Sequence, residues 1–229
     1  MRKNKTPAAL KALSFGVIGF SAVHYAQAET QITFGGFTLD NQAFPPDYGS
    51  NVSSSSADYT VSSGATGITG TPNISATWGP GFQTYTAWDG RGEVGQLDFS
   101  AVDPDQITLT LTPESGFAVL VQSFDLDYFA GGGDVNLNWS VSDSVGTLAS
   151  GLWTQDNAGG RDTINTGLNL GDVRVGEAVT ITFTMNSGSP SYIALDNLVF
   201  DQVPEPSTTA IALTGLALGA MAMRRRRRK

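Results

Sequence analysis

Apolar and polar residues alternate along most of the chain between residues 29 and 202. The clearest alternation lies in 106–112, 134–142 and 178–185, where every second residue is a large apolar one. A repeat of two residues is typical of β-strands with one buried face, and no long stretch shows the 3.6-residue repeat of an amphipathic helix. Composition and turn residues predict further strands near 74–78, 82–88, 95–99, 146–153, 163–168 and 191–200.

One strand changes phase in its middle. Within 119–128, Val119 and Val121 occupy odd positions, and the three large apolar residues after Ser123, namely Phe124, Leu126 and Tyr128, occupy even positions. A β-bulge at Gln122-Ser123 turns both sets toward the core, because it adds one residue to the strand. We expect Asp125 and Asp127, which have the opposite parity, to lie on the solvent face of this strand.

The number of short strands and the turns between them define the fold class. Clusters of Gly, Asp and Asn separate the strands, as at 131–134 and 156–160. This arrangement predicts an all-β body over 29–202, built as an antiparallel β-sandwich of the jelly-roll type. Residues 41–73 contain serine-rich stretches and are expected to form a long exposed loop.

The first 28 residues have the three parts of a secretory signal peptide. A basic start is followed by a mostly apolar stretch, 12–23, and then by Ala26 and Ala28 in a small-x-small pattern. We expect cleavage after Ala28 and export by Sec-type machinery. His24, the only histidine of the chain, lies in this segment and leaves with it.

The C-terminal segment 203–229 also has three parts. Pro204, Glu205 and Pro206 come first, residues 207–223 carry no charge, and 224–229 are all basic. A helix over 207–223 would be about 25 Å long, which is slightly less than the roughly 30 Å of a bilayer core. The basic cluster favours a cytoplasmic end. We therefore predict one C-terminal transmembrane helix.

These three parts resemble the PEP-CTERM sorting signal of exported bacterial proteins. The resemblance rests on Pro204, Glu205 and Pro206, on the apolar span 207–223 and on the basic tail 224–229. It implies processing by an exosortase, a membrane-embedded cysteine transpeptidase-like enzyme, near the Pro-Glu-Pro motif. It further implies a Gram-negative host, transient anchoring in the inner membrane, and final placement at the cell surface or in a biofilm matrix rich in exopolysaccharide.

Charge is distributed very unevenly along the chain. All 21 acidic residues lie within 29–206, together with only Arg91, Arg161 and Arg174 and no lysine. Such an acidic body repels nucleic acid and anionic membrane surfaces, so we expect no nucleic-acid partner.

The residue types of the body restrict its chemistry. Once the signal peptide is removed, the chain has no histidine and no cysteine, and its only lysine is Lys229. A Ser-His-Asp triad, a Cys-His pair and a zinc site with imidazole or thiolate ligands are therefore excluded. We expect a non-catalytic surface or matrix protein that binds extracellular polysaccharide. The alternatives are a glycoside hydrolase or lyase that uses two carboxylates and a purely structural or adhesive surface protein.

Aromatic residues are the candidate sugar-binding groups. Trp78, Tyr85 and Trp88 are close in sequence, and Arg91 follows them with hydrogen-bond donors. Aromatic faces stack on sugars, which predicts a glycan platform here. The alternative is ordinary core packing, since aromatic side chains bury large areas.

The closing strand, 192–200, resembles the last strand of carbohydrate-binding modules and galactose-binding-like jelly rolls, which often contain an apolar-Asp-polar-apolar pattern. In some of these folds the aspartate holds a structural calcium ion with an N-terminal acidic residue. The resemblance implies such a role for Asp196, with Asp40 or Glu29 as partner. The alternative is a solvated or turn-capping aspartate. We expect no required cofactor.

Overall fold

A computed structural model describes residues 28–45, 48–49, 59–61, 74–90, 92–102, 106–129, 133–156, 158–186 and 192–204. The signal peptide before Ala28 and the sorting signal after Pro204 lie outside these residues. Within the described ranges, no helix has the length and apolar character needed to cross a membrane.

Twelve strands account for most of the described residues. They are β1 (Ala28–Ile32), β2 (Tyr59–Val61), β3 (Ser75–Trp78), β4 (Phe82–Tyr85), β5 (Val94–Asp98), β6 (Gln106–Thr112), β7 (Phe117–Tyr128), β8 (Val135–Ser142), β9 (Thr147–Gln155), β10 (Gly160–Asn165), β11 (Val179–Met185) and β12 (Tyr192–Pro204). Short 3-10 turns follow β4 and β5, at Trp88–Gly90 and Phe99–Ala101.

The strands form two antiparallel sheets. The seven-stranded sheet has the order β10-β7-β12-β1-β2, and β5 also pairs with β12 and carries β4 beside it. The five-stranded sheet has the order β3-β6-β11-β8-β9. The chain crosses repeatedly from one sheet to the other, so most neighbouring strands are distant in sequence. The prediction of an all-β, two-sheet antiparallel body is therefore confirmed.

Strand β12 is the centre of the seven-stranded sheet. One of its edges pairs with β7, while its other edge pairs first with β5 over Tyr192–Leu195 and then with β1 over Leu198–Gln202. The register against β7 slips at Asn197, whose φ of 46° is left-handed, and again at Gln122. The second slip confirms the bulge that the phase change in the sequence predicts.

The two ends of the body lie side by side in this sheet. Ala28, the residue before the expected signal-peptide cleavage, is opposite Gln202. Pro204, the first residue of the sorting motif, is still part of β12 and lies opposite Phe117. Strand β12 therefore continues two residues past Gln202.

The core lies between the two sheets and follows the predicted alternation. In β6, β8 and β11 every second side chain is buried, and β7 buries residues on both sides of its bulge toward the same core. Each large apolar side chain that is fully buried contributes about 1.5–3 kcal/mol. The largest are Tyr128, Phe34, Phe124, Phe183, Phe200, Ile32, Ile74, Leu97, Ile107, Leu109, Leu111 and Leu126.

One glycine is required by the packing of this core. A Cβ atom at Gly151 in β9 would lie 2.7 Å from the indole of Trp139, its partner in β8. We expect Gly151→Ala to destabilise the fold by about 2 kcal/mol, because such overpacking displaces a core side chain. Gly171→Ala is the control, since nothing lies within 4 Å of its Cβ. Urea unfolding measures both, and equal losses for the two variants would contradict this packing.

Candidate functional site

The outer face of the seven-stranded sheet carries most of the candidate residues. The strand registers place Gln83, Gln96, Ala194, Asp127 and Arg161 in one row across β4, β5, β12, β7 and β10. Side chains of this parity point away from the core, because their strand neighbours fill it. One end of this face is aromatic and the other is charged.

The aromatic end contains an open pocket. Its volume is about 500 Å³, and it lies where β4, β5 and the start of β12 meet. Its lining residues are Asn41, Tyr85, Trp88, Asp89, Gln96, Phe129 and Tyr192.

The aromatic side chains of the pocket have two different roles. Trp88 is only 3% exposed and packs edge-to-face against Tyr85 and Phe129, with ring centroids 5.4 and 5.5 Å away. It therefore supports the pocket wall from behind. Tyr85 is half-buried and Tyr192 is 39% exposed, so these rings present their surfaces to solvent. The turn that places Trp88 includes Asp89 with a φ of 41°, a conformation that Asp tolerates better than most residues.

The polar groups of the pocket are held by a chain of amide hydrogen bonds. Gln96 donates its Nε2 to Asn41 Oδ1 at 3.4 Å and to Gln83 Oε1 at 3.3 Å. Gln83 in turn donates its Nε2 to Asp98 Oδ2 at 2.9 Å. The backbone N–H of Asn41 donates to Thr84 O at 2.7 Å. The Gln96 amide is almost fully buried, so these contacts fix its orientation before any ligand arrives.

The charged end is centred on Arg161 of β10. Its Nη2 donates to the Asp196 carboxylate, and its Nε lies 3.8 Å from an oxygen of both Asp125 and Asp127. Asp125 and Asp127 lie on the outer face of β7, as the parity predicts, but they are buried there because Arg161 and the neighbouring strands cover them. Three carboxylates thus surround one guanidinium.

The remaining contacts of this cluster come from Thr163 and Asn197. Asp125 accepts hydrogen bonds from Thr163 Oγ1 at 2.6 Å and from Asn197 Nδ2 at 2.8 Å. Burial raises the pKa of Asp196, and this outweighs the opposite effects of the Asn197 N–H and of the Arg161 charge. The cluster therefore depends on Arg161 to remain ionised when it is buried.

The structure brings together two of the four predicted sugar-binding residues. Tyr85 and Trp88 line the pocket described above. Trp78 instead packs in an aromatic cluster of the core, edge-to-face with Phe44 and Phe82, and donates its Nε1 to Tyr48 O at 2.7 Å. Arg91 lies outside the described residues.

The two aspartates predicted to bind calcium have other contacts. Asp196 is bound by Arg161, and Asp40 accepts hydrogen bonds from Thr86 N and Oγ1 at 2.6 and 2.7 Å. Nothing is described of the Glu29 side chain. Among the described residues, no three acidic or histidine side chains are grouped so that they could hold a metal ion. The calcium site stays a prediction.

Sequence reasoning missed Asn41, Gln96, Phe129 and Tyr192. Only the strand pairing brings these residues to Tyr85, because they come from four separate parts of the chain. The one sequence signal was the alternation of the last strand, which places Tyr192 on the same outer face as Asp196.

Comparison with known proteins identifies the C-terminal segment. Residues 202–228 match the PEP-CTERM protein-sorting motif. This match confirms the predicted C-terminal sorting signal, and the motif indicates an exported protein. No curated protein matches the chain.

Solved structures with similar architecture include two carbohydrate-binding modules. One is CBM28, specific for non-crystalline cellulose, with 13% identity, 55% of this chain and 86% of that chain covered, and a TM-score of 0.34. Another is the family 11 module of Clostridium thermocellum, in complex with a β-1,3-1,4-mixed-linked tetrasaccharide, with 11% identity, coverages of 78% and 96%, and a TM-score of 0.31. A Stig cyclase from Fischerella sp. TAU is 12% identical, with 74% of this chain and 100% of that chain covered, and its TM-score is 0.33. TM-scores this low carry no argument about function.

The role of Arg161 can be tested by its removal. We expect Arg161→Met to destabilise the protein by about 3 kcal/mol at neutral pH, because three buried carboxylates lose their cation. Removing the cation raises the pKa of Asp196 further, so the folded state binds more protons than the unfolded one. The difference in free energy of unfolding between Arg161→Met and the unmodified protein should then shrink as the pH falls toward about 4.

Thermal unfolding across this pH range, with Arg174→Met as the control, checks the expectation. Arg174 is exposed and pairs with Asp143, which also accepts hydrogen bonds from the backbone N–H groups of Val145 and Gly146. These bonds remain when Arg174 is replaced, so its loss should change the melting temperature little. A pH-independent deficit for Arg161→Met would contradict the electrostatic account.

Proposed function

We propose that the protein is an exported, exosortase-processed component of the cell surface or matrix that binds neutral extracellular polysaccharide. The observation that supports the binding role is the pocket on the outer face of the seven-stranded sheet. It combines the exposed rings of Tyr85 and Tyr192 with the fixed amides of Asn41 and Gln96. Apolar faces beside oriented hydrogen-bonding groups are what a sugar ring requires of a protein surface.

The aromatic rings and the amide side chains of the pocket contact different parts of the sugar. The C–H face of a pyranose packs on Tyr85 or Tyr192, which removes apolar area from water without removing the sugar hydroxyls from solvent. The Nδ2 group of Asn41 offers donors to those hydroxyls, and the Oε1 atom of Gln96 offers an acceptor, since both N–H groups of Gln96 are bonded to Asn41 and Gln83. Since hydrogen bonds within the sheet already hold these amides, little side-chain entropy is lost when a sugar binds.

Charge restricts the class of polysaccharide. The pocket contains Asp89, and the same sheet face continues into Asp125, Asp127 and Asp196 with Arg161 as their cation. The body between residues 29 and 206 is strongly acidic. Uronate-rich or sulfated polymers are repelled by such a surface, so neutral sugars are the proposed ligands.

The binding role that we propose is non-catalytic. Glycosidases need a pair of carboxylates that flank the scissile bond. Asp89 is the one acidic side chain among the described residues that line the pocket. The carboxylates of Asp125, Asp127 and Asp196 on the same sheet face are occupied by Arg161.

The C-terminal segment directs the sorting of the β-sandwich. We propose that the apolar span 207–223 anchors the body in the inner membrane, with 224–229 on the cytoplasmic side, until an exosortase acts near Pro204-Glu205-Pro206. Strand β12 contributes pairing up to Pro204, so a cut after this residue releases the sandwich with its central strand complete.

Replacement of the pocket tyrosines tests the binding role. We expect Tyr85→Ala combined with Tyr192→Ala to weaken binding about tenfold, because two stacking surfaces are lost. Calorimetry with size-fractionated neutral polysaccharide from the producing bacterium measures this, with polygalacturonate as the charge control. Leu170→Ala, which truncates an exposed side chain outside the pocket, is the matched variant. Unchanged affinity in the double variant, or tighter binding of polygalacturonate, would refute the proposed site.

Replacement of the sorting motif tests this role of the C-terminal segment. We expect the Pro204-Glu205-Pro206 to Ala-Ala-Ala variant to accumulate uncleaved in the inner membrane, since the exosortase loses its recognition sequence. In the unmodified protein, mass spectrometry of the released form should find its C-terminus after Pro204, with β12 intact. Normal release of the variant would remove the sorting claim, and a C-terminus before Val203 would show that the end of β12 is dispensable.

A further inference from the structure

The two sheets differ completely in charge. No residue of β3, β6, β8, β9 or β11 is charged, so the five-stranded sheet is neutral throughout. In the seven-stranded sheet, β5, β7, β10 and β12 contain acidic residues, and β10 also contains Arg161. In a body as acidic as this one, a whole sheet without charge is a distinct surface, independent of the pocket.

Hydroxyl groups cover the outer face of the neutral sheet in a regular array. In β6 and β11, threonine stands at every second position, and the register places Thr110 opposite Thr180 and Thr108 opposite Thr182. Ser142 and Ser140 of β8 continue these two rows. Hydroxyls therefore repeat about every 6.8 Å along a strand and about every 4.8 Å across strands.

Strand propensity accounts for only part of this composition. Threonine is favoured on exposed strands because its branched side chain suits the pleated surface. Propensity does not explain why none of the 21 acidic residues lies in these strands, above all in the edge strands β3 and β9. Exposed edges usually carry charges, which prevent association with other surfaces. A face without this protection is suited to contact with something uncharged.

The half of the face toward β9 contains a shallow depression of about 280 Å³. It is lined by side chains of three adjacent strands, among them Asn138 and Ser140 of β8, Ser150 of β9, and Thr182 and Thr184 of β11. Asn138 and Ser150 are exposed. Leu152, which is 58% exposed, lies beside Asn138 in the pairing of β8 with β9 and adds an apolar group.

We propose that this neutral face is a second binding surface, which takes the flat surface of packed, uncharged polysaccharide chains. An array of hydroxyls and amides spread over several strands matches an extended sheet of sugar hydroxyls better than it matches a single sugar ring. The absence of charged side chains means that no ion must be desolvated when the two surfaces meet. The face and the pocket then lie on opposite sides of the sandwich, and one molecule can join two polymers.

A second copy of this chain is the less suitable occupant. Two bodies with such an excess of acidic residues repel each other, and a hydroxyl face supplies little apolar area to overcome this repulsion. Neutral polysaccharide has no charge to repel. Charge thus favours the polymer over self-association.

The test is adsorption of the full-length protein, in a detergent without sugar headgroups, to insoluble cellulose as the neutral probe. Thr182→Lys and Ser140→Lys each place a charge in the depression of this face, at solvent-facing positions of two different strands. We expect each to weaken adsorption about tenfold, because the new ion must be desolvated at the surface. Leu170→Lys adds the same charge outside the face and should leave adsorption unchanged.

Two further arms separate this surface from the pocket. In the Tyr85→Ala and Tyr192→Ala double variant, which should bind soluble polysaccharide about tenfold more weakly, each lysine substitution should still lower adsorption to cellulose, so each proposal can fail alone. On cellulose oxidised to carry carboxylates, the two lysine variants should adsorb better than the unmodified protein. Equal adsorption of both lysine variants and the unmodified protein would overturn the proposal. So would failure of the unmodified protein to adsorb, or dimers by light scattering that either lysine substitution dissociates.

Discussion

The central position of β12 is the constraint on which the rest of the structure depends. This strand pairs with β7 along one edge, and along its other edge it pairs first with β5 and then with β1. The change of partner along that edge falls at Asn197, where the register against β7 slips and whose side chain contacts both Gln31 and Asp125. The same position separates the half that forms the pocket from the half that leads to the sorting motif at Pro204.

The division of charge between the sheets follows from this arrangement. β12 brings Tyr192, Ala194 and Asp196 to the outer face, so aromatic and charged groups gather on one side of the sandwich. Arg161 compensates the carboxylates that this side buries. The opposite sheet, with its rows of threonine and serine, needs no such compensation. The pocket and the neutral face are thus separate parts of one molecule, held in fixed positions by a common core, and β12 leads from the pocket to the start of the sorting motif at Pro204.

Sequence alone predicted the features that depend on local pattern. Alternation gave the strands, and the phase change at Gln122 gave the bulge, because a side chain's face follows directly from its position in a strand. Pairing between distant strands has no local signal. For this reason the sequence does not show that Trp88 lines the pocket whereas Trp78 packs in the core, nor that Gln96 lies close to Tyr85. Likewise, the burial of Asp125 depends on Arg161, a partner 36 residues further along the chain.

The most direct test of the account is a titration of the isotope-labelled, secreted protein with a neutral oligosaccharide, followed by amide chemical shifts in solution. The account predicts that the shifts concentrate at Tyr85, Asp89, Gln96 and Tyr192, because these residues surround the pocket. A single short sugar chain should not perturb the neutral face, which is suited to packed chains. Shifts confined to other surfaces, or none at saturating sugar, would contradict the central claim that this pocket binds neutral polysaccharide.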